Sequence, residues 1–177
     1  AVALAEHGHW VVGLDNFVNS SPLVLDRLAT ISDTGMPFEE LDLSQTNEIA
    51  SFLSTNKVDA VIHLAGLKSV ADSVAEPLRY YENNVAGCIS LLTAMEQAKV
   101  HGIVFSSSAT VYDPEQVSPL SEDAETGPIN PYGRTKFIVE QIINELAAQP
   151  PLKAFHHRYS NSLGPHPSGR RVHDPNR

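Results

Sequence analysis

Five short apolar runs separated by stretches of helical spacing constrain this chain more than any single motif. They are Trp10 to Asp15, Pro37 to Leu41, Val58 to Leu64, Gly102 to Ser108 and Leu152 to Tyr159. Short apolar runs that close on polar residues read as buried strands. The helical stretches between them fall at 22–30, 45–55, 82–99 and 131–148. Such alternation predicts an α/β fold, a doubly wound parallel sheet. Within 82–99, Val85, Ile89, Leu92 and Met95 recur at spacings of four and three, which predicts one buried helix face. Asn130 before Pro131 predicts a helix start, because Asn caps the first turn and Pro fits the first helical position.

Composition then removes whole classes of function. The chain has 177 residues, the size of one domain, and Lys plus Arg number 12 against 21 acids, a net charge of −9. A surface this acidic offers no footprint for nucleic acid and is repelled by anionic lipid. No apolar run approaches the ~20 residues of a membrane-spanning helix. One cysteine, Cys88, excludes a disulfide scaffold, and its helical position reads as a small core residue. His156 and His157 are neighbours on a strand and face opposite ways, so no metal is expected. A soluble, cytoplasmic protein is the expectation.

In doubly wound sheets, ligands lie beyond the carboxyl ends of the strands. Here those ends read Asp15-Asn16, Asp42, Ala65-Gly66, Ser106-Ser107-Ser108 and Tyr159-Ser160-Asn161. All five offer hydrogen-bonding groups or close backbone approach, which predicts one shared crevice. An acid closing a strand, as Asp15 does, is placed to hold adenosine ribose hydroxyls and to repel a 2′-phosphate, favouring NAD over NADP. The Gly-rich loop that accompanies such an acid lies about 20 residues upstream. The fourteen residues before Asp15 contain Gly8 and no glycine triplet. The opening AVALAEHGHW reads as the last turns of a helix with Gly8 at its left-handed cap. The expectation is a chain that begins inside an element, its first central strand missing.

Tyr132-Gly133-Arg134-Thr135-Lys136 carries the most chemistry. Tyr and Lys four apart share a helix face, and Ser108 ends the strand before this helix. A phenol with a pKa near 10 is a poor base at neutral pH. A cation ~4 Å away at an effective dielectric of about 20 attracts the phenolate by roughly 4 kcal/mol. At ~1.36 kcal/mol per pH unit this bounds the lowering at about three pH units. Lys136 can thus make Tyr132 a base, with Ser108 relaying or orienting the substrate proton.

The stretches LDNFVNS (14–20), VIHLAGLKSV (61–70), PLRYYENNVAG (77–87), FSSSATVY (105–112), PYGRTK (131–136) and HPSG (166–169) resemble the extended short-chain dehydrogenase/reductases, and within them the UDP-glucose 4-epimerases. The resemblance implies a Rossmann-like NAD-binding domain over 1–160 and, over 161–177, the start of a connection to a substrate-binding domain. It implies that Asp15, Asn16, Asn19 and Ser20 hold the adenosine ribose side of NAD, with Asp42 and Leu43 by the adenine. Leu64, Ala65, Gly66 and Lys68 would line the dinucleotide path, with Asn83 near the pyrophosphate or nicotinamide ribose. Ser108, Tyr132 and Lys136 fall on the family's catalytic Ser, Tyr and Lys, and Asn161 on an Asn that contacts the nucleotide sugar.

The activity so implied is interconversion of UDP-glucose and UDP-galactose by transient oxidation and re-reduction at C4, with Tyr132 exchanging the 4-hydroxyl proton. A homodimer is expected of the full-length parent. Nucleotide-sugar dehydratases are the rival enzymes. They need an acid pair after the catalytic Ser or Thr, where this chain has Ala109 and Thr110. A catalytically dead NAD-binding module is the rival outside enzymes, on the family departures Ser160, Ser162 and Val172. Alone, without a first strand, the chain is expected neither to fold cooperatively nor to bind NAD tightly. The sheet should show a central gap or a closure of the Trp10–Asp15 strand onto the Val58–Leu64 strand.

Overall fold

A computed structural model describes residues 1–32 and 36–160, which fall into two compact units, within 1–42 and within 43–160. In the first unit, α1 (Val2–Glu6) ends at His7, and Gly8 takes a φ of +82°. That left-handed value is open to glycine at no steric cost, as the sequence predicts for a helix end. β1 (Gly13–Asp15) pairs in parallel with β2 (Phe38–Glu40), with Gly13 opposite Phe38 and Asp15 opposite Glu40. α2 (Leu23–Ser32) connects them. Both strands are shorter than their apolar runs. Trp10, read as the start of a buried strand, is 70% exposed, because β2 has only three residues to pair and the run outlasts its partner.

The second unit holds α3 (Thr46–Thr55), β3 (Ala60–His63), α4 (Val70–Ala75), α5 (Pro77–Tyr80), α6 (Gly87–Gln97), β4 (Gly102–Ser108), α7 (Pro131–Ala147) and β5 (Lys153–Tyr159). Its sheet has the order β3-β4-β5, all parallel, with His63 opposite Phe105 and Ser108 opposite Tyr159. Parallel neighbours need a crossover, and the crossovers here run through α6 and α7. Among the described residues the strands form two sheets, β1-β2 and β3-β4-β5. Among the described residues, no helix is long and apolar enough to cross a membrane.

The core of this unit comes from β4, α6, α7 and α3: Ile103 and Phe105, Cys88, Leu91 and Met95, Val139 and Ile143, Ile49 and Leu53 are all buried. Burying one such large apolar side chain contributes about 1.5–3 kcal/mol. The buried stripe of α6 is Cys88, Leu91, Leu92 and Met95, spaced one helical repeat apart. Ile89, assigned to that face from sequence, is 47% exposed. The helix is apolar on more than one side, so periodicity alone picks the wrong starting residue.

Two features of the fold go unannounced by the apolar pattern. Ser69 caps α4 by accepting from the Asp72 amide at 3.2 Å. Tyr81–Ala86, between α5 and α6, winds as a π-helix, a form that occurs mostly as a single wide turn. The start of α7 follows its sequence signal: Asn130 accepts from the Gly133 amide at 2.8 Å, ahead of Pro131 at the first turn.

Candidate active site

In the first unit, the end of β1 gathers acids and amides. Asp15 Oδ1 accepts from the Phe17 amide at 2.8 Å and from the Ser20 hydroxyl at 2.9 Å. The carboxylate is therefore oriented by the turn that follows its own strand, a tight turn in which Phe17 takes a φ of +53°. Asn16 Nδ2 donates to Asp42 Oδ2 at 2.6 Å, joining the residues that follow β1 and β2. Asp15, Asn16, Ser20 and Asp42 are thus brought together, and Asn19 lies exposed in the same turn.

In the second unit, the chain leaves β3 through Leu64, Ala65 and Gly66. Gly66 has a φ of +145°, and a Cβ there would meet Asn84 Oδ1 at 3.1 Å and Lys136 Nζ at 3.8 Å. Only glycine fits both the backbone angle and the space. Asn84 sits in the π turn and uses its whole amide. Its oxygen accepts from the Leu67 amide at 2.8 Å and from Asn83 Nδ2 at 3.0 Å. Its nitrogen donates to the Leu67 carbonyl at 3.0 Å and to Thr135 Oγ1 at 3.2 Å. Thr135 in turn donates to the Tyr132 carbonyl at 2.7 Å. One buried side chain thus fixes the loop after β3 against the helix that carries Tyr132. Lys68 and Leu64 on that loop are exposed, and Leu43 packs on α6, where a Cβ at Gly87 would meet it at 3.2 Å.

Ser108 closes β4, and its hydroxyl oxygen accepts from the Thr110 amide at 3.2 Å and from the Thr110 hydroxyl at 3.0 Å. A hydroxyl has two lone pairs and one proton. With both lone pairs taken, Ser108 is committed to donating. The first turn of α7 lies against this segment: a Cβ at Gly133 would come within 2.6 Å of the Thr110 carbonyl. That approach, which only glycine permits, sets the neighbouring Tyr132 beside the end of β4.

Lys136 is buried and donates from Nζ to the Ser106 carbonyl at 2.8 Å. Its ammonium lies 4.9 Å from the centre of the Phe105 ring and 5.9 Å from that of Tyr132. Both are within reach of cation–π attraction. Burial lowers its pKa to about 8, and burial together with the Lys136 charge lowers that of His63 to about 3. His63 is therefore neutral, and Lys136 is the cation of the cluster. Cys88, pushed up to about 12 by burial, is no thiolate.

The depressed Lys136 pKa has a testable sign. Between about pH 8 and the ordinary value of 10.5 the unfolded chain holds this proton and the folded chain does not. Stability rises with pH wherever the unfolded state binds more protons. The parent should gain stability over Lys136→Met as pH rises through that window, where an ordinary exposed Lys would give no trend. Urea midpoints at pH 7 and pH 10 check this, and a constant gap between the two proteins would count against it.

Lys136 lies within reach of the Tyr132 ring, of the Ser106 carbonyl and of Gly66, and the first turn of α7 lies on Thr110, which holds the Ser108 hydroxyl at the end of β4. Asn83 is half-buried and supports Asn84, and Asn161 lies outside the described residues. Sequence reasoning missed Asn84, Thr135, Ser107, Glu140 and Arg158.

Comparison with known proteins covers the chain from end to end. Residues 1–176 match the NAD dependent epimerase/dehydratase family. The chain is 46% identical over 176 residues to a UDP-glucose 4-epimerase of Bacillus subtilis, covering 99% of this chain and 52% of that protein. It is 45% identical to the enzyme of the same name from Neisseria meningitidis serogroup C, again over 99% and 52%. Among solved structures, UDP-glucose 4-epimerase from Bifidobacterium longum in complex with NAD+ and UDP superposes with a TM-score of 0.91 at 38% identity, over 95% of this chain and 51% of that one. The enzyme from Stenotrophomonas maltophila, with bound NAD and formylated UDP-arabinopyranose, gives a TM-score of 0.87 at 42% identity, over 89% and 47%. The chain spans about half the length of the curated relatives it matches.

Proposed function

The chain belongs to the NAD-dependent epimerase/dehydratase family, and from that premise we propose that its protein interconverts UDP-glucose and UDP-galactose through transient oxidation and re-reduction of the sugar at C4. The observation that carries the reading is the junction of β4 and α7. There a buried lysine stands within reach of a tyrosine ring and holds the strand two residues before a serine committed to donating.

NAD fits the residues present. The oriented Asp15 carboxylate suits a ribose diol and excludes a 2′-phosphate, with Asn16, Asn19, Ser20, Asp42 and Leu43 on the adenosine side. The glycine-only bend at Gly66 admits close approach of a dinucleotide to Leu64, Ala65 and Lys68. An ammonium has three donors, so Lys136 can reach a second ribose while holding Ser106. Bound NAD would supply the reversible two-electron oxidation at C4. The chain's own residues handle the proton. Ser108 donates to the sugar 4-oxygen and orients it, Tyr132 takes the 4-hydroxyl proton as the ketone forms, and Tyr132 returns it when the sugar has presented its other face. Asn161 is proposed to contact the nucleotide sugar.

The dehydratase alternative loses ground on one contact. Thr110, which stands where that chemistry needs a carboxylic acid, spends its hydroxyl on Ser108. The proposal includes residues 1–160 as part of a dinucleotide-binding domain, and a homodimer. For the latter, Leu78 at 82% exposure and Ile89 on consecutive helical segments offer apolar surface that a second copy can cover. A cytoplasmic location is also proposed, supported by a single cysteine that is buried and unpaired. The test is direct: the gene product carrying this chain, without added reductant, should convert UDP-galactose to UDP-glucose and the reverse. Inertness towards both sugars with NAD bound would refute the function.

A further inference from the structure

Glu140 lies one turn beyond Lys136 on α7 and is 2% exposed, and the proton chemistry above makes no use of it. Its carboxylate is nonetheless fully engaged. Oε1 accepts from the Ser107 hydroxyl and from Arg158 Nε at 3.0 Å, and Oε2 accepts from Arg158 Nη2 at 2.8 Å. Arg158 continues the network, donating from Nη1 to the Glu122 carbonyl at 3.2 Å and lying 4.7 Å over the Tyr112 ring. Burial raises the Glu140 pKa, and the hydrogen bonds from Arg158 and Ser107 outweigh it, leaving the carboxyl below its ordinary value.

Four segments meet on this one carboxylate and its partner: the end of β4, the middle of α7, β5 and the loop after Val111. Buried ion pairs contribute little net stability over apolar groups of equal size. What this one supplies is geometry. Successive side chains of a strand point to opposite faces, so anchoring Ser107 on one face of β4 holds Ser108 on the other. Ser107 and Tyr132 are thereby tied to one helix, Ser107 by a hydrogen bond and Tyr132 by the chain. We propose that Ser107, Glu140 and Arg158 are positioning residues, a clamp that holds the Ser108 hydroxyl in register with Tyr132. In its catalytic consequence the clamp rests on the function proposed above.

The experiment uses the gene product carrying this chain, with Ser107→Ala and Ser107→Thr, neither of which breaks the ion pair. Thr keeps the hydroxyl and suits a strand. Misplacement of a reacting group by ~1 Å can lower a rate ~100-fold, and loss of one of several anchors should lower kcat roughly 10-fold, with KM and bound NAD within about 2-fold. Ser107→Thr should recover kcat to within about 3-fold of the parent. Amide exchange, which reads local opening without any substrate, should quicken at residues 107–111 in Ser107→Ala, be restored in Ser107→Thr and stay unchanged at Ala60–His63. Unaltered exchange at 107–111, or a kcat equal to the parent's, overturns the clamp. So does a fall in kcat matched by an equal fall in bound NAD. A parent that turns over neither sugar, while exchange responds as described, rejects the epimerase reading and upholds the clamp.

Discussion

Tyr132→Phe should lower turnover of UDP-galactose by about 10²–10⁴-fold, the range supplied by a positioned acid–base group. At 1.36 kcal/mol per decade that is roughly 3–5 kcal/mol of transition-state stabilisation. The bound cofactor should be retained, because the variant removes one oxygen and leaves the ring beside Lys136. The geometry makes the expectation sharp. Ser108 has spent both lone pairs on Thr110, so it cannot take over as acceptor, and His63, neutral and buried within β3, is packed against Phe105 rather than open to a substrate. Steady-state assays with measurement of bound NAD decide the matter. A variant within about 10-fold of the parent would mean that another group accepts the proton.

Arg158→Met should have the largest effect on folding. It leaves the Glu140 carboxylate buried without its cation, and removing one partner of a buried pair costs about 3–5 kcal/mol. Arg158 is itself a quarter exposed, which places the expectation near ~3 kcal/mol. The pH dependence carries the sign. In the parent, the Glu140 carboxyl is held below its ordinary 4.5. Its contribution is complete above that value and is lost as pH falls through the lowered one. In the variant the Arg158 hydrogen bonds and charge are gone and burial is opposed only by Ser107 and His156, so the carboxyl pKa rises from its place in the parent and acid relieves the strain by protonating it. The gap between parent and variant should therefore narrow from pH 7 to pH 4.5. Urea midpoints at the two pH values measure it, and a gap that widens in acid would show that Arg158 acts through something other than the Glu140 charge.

The elements that carry the chemistry were those most legible in the sequence. β4 came out to the residue, as an apolar run closing on three serines, and α7 began where Asn130 and Pro131 said it should. Both signals are local, needing no knowledge of what packs where. β1 was read too long because strand length is set by the partner, and β2 offers three residues. The structural part Asn84 plays between Leu67 and Thr135 goes unannounced, since only the winding of the helix decides which residue faces the loop after β3. Glu140 and Arg158 stand eighteen residues apart on different elements, and no spacing pairs them. Their burial is a product of α7 packing on β4 and β5, which no local pattern encodes.

The π turn at Tyr81–Ala86 makes the length of this segment, more than its composition, the constrained quantity. A π turn accommodates one residue more than an α turn. Deleting one residue within Tyr81–Ala86 would let the turn tighten into continuous α-helix, the flanking helices keeping their facing while the wide turn that presents Asn84 is lost. Asn84 would then leave Leu67 and Thr135, and two backbone groups and a hydroxyl would lose their partner at one stroke. Many point substitutions on the exposed side of this helix leave that arrangement intact, while no single-residue shortening does. Length variation in this protein and its relatives should therefore avoid residues 81–86 and accumulate in exposed stretches such as 117–121, away from the pairing of Tyr112 with Thr126 and the Glu122 carbonyl that Arg158 holds.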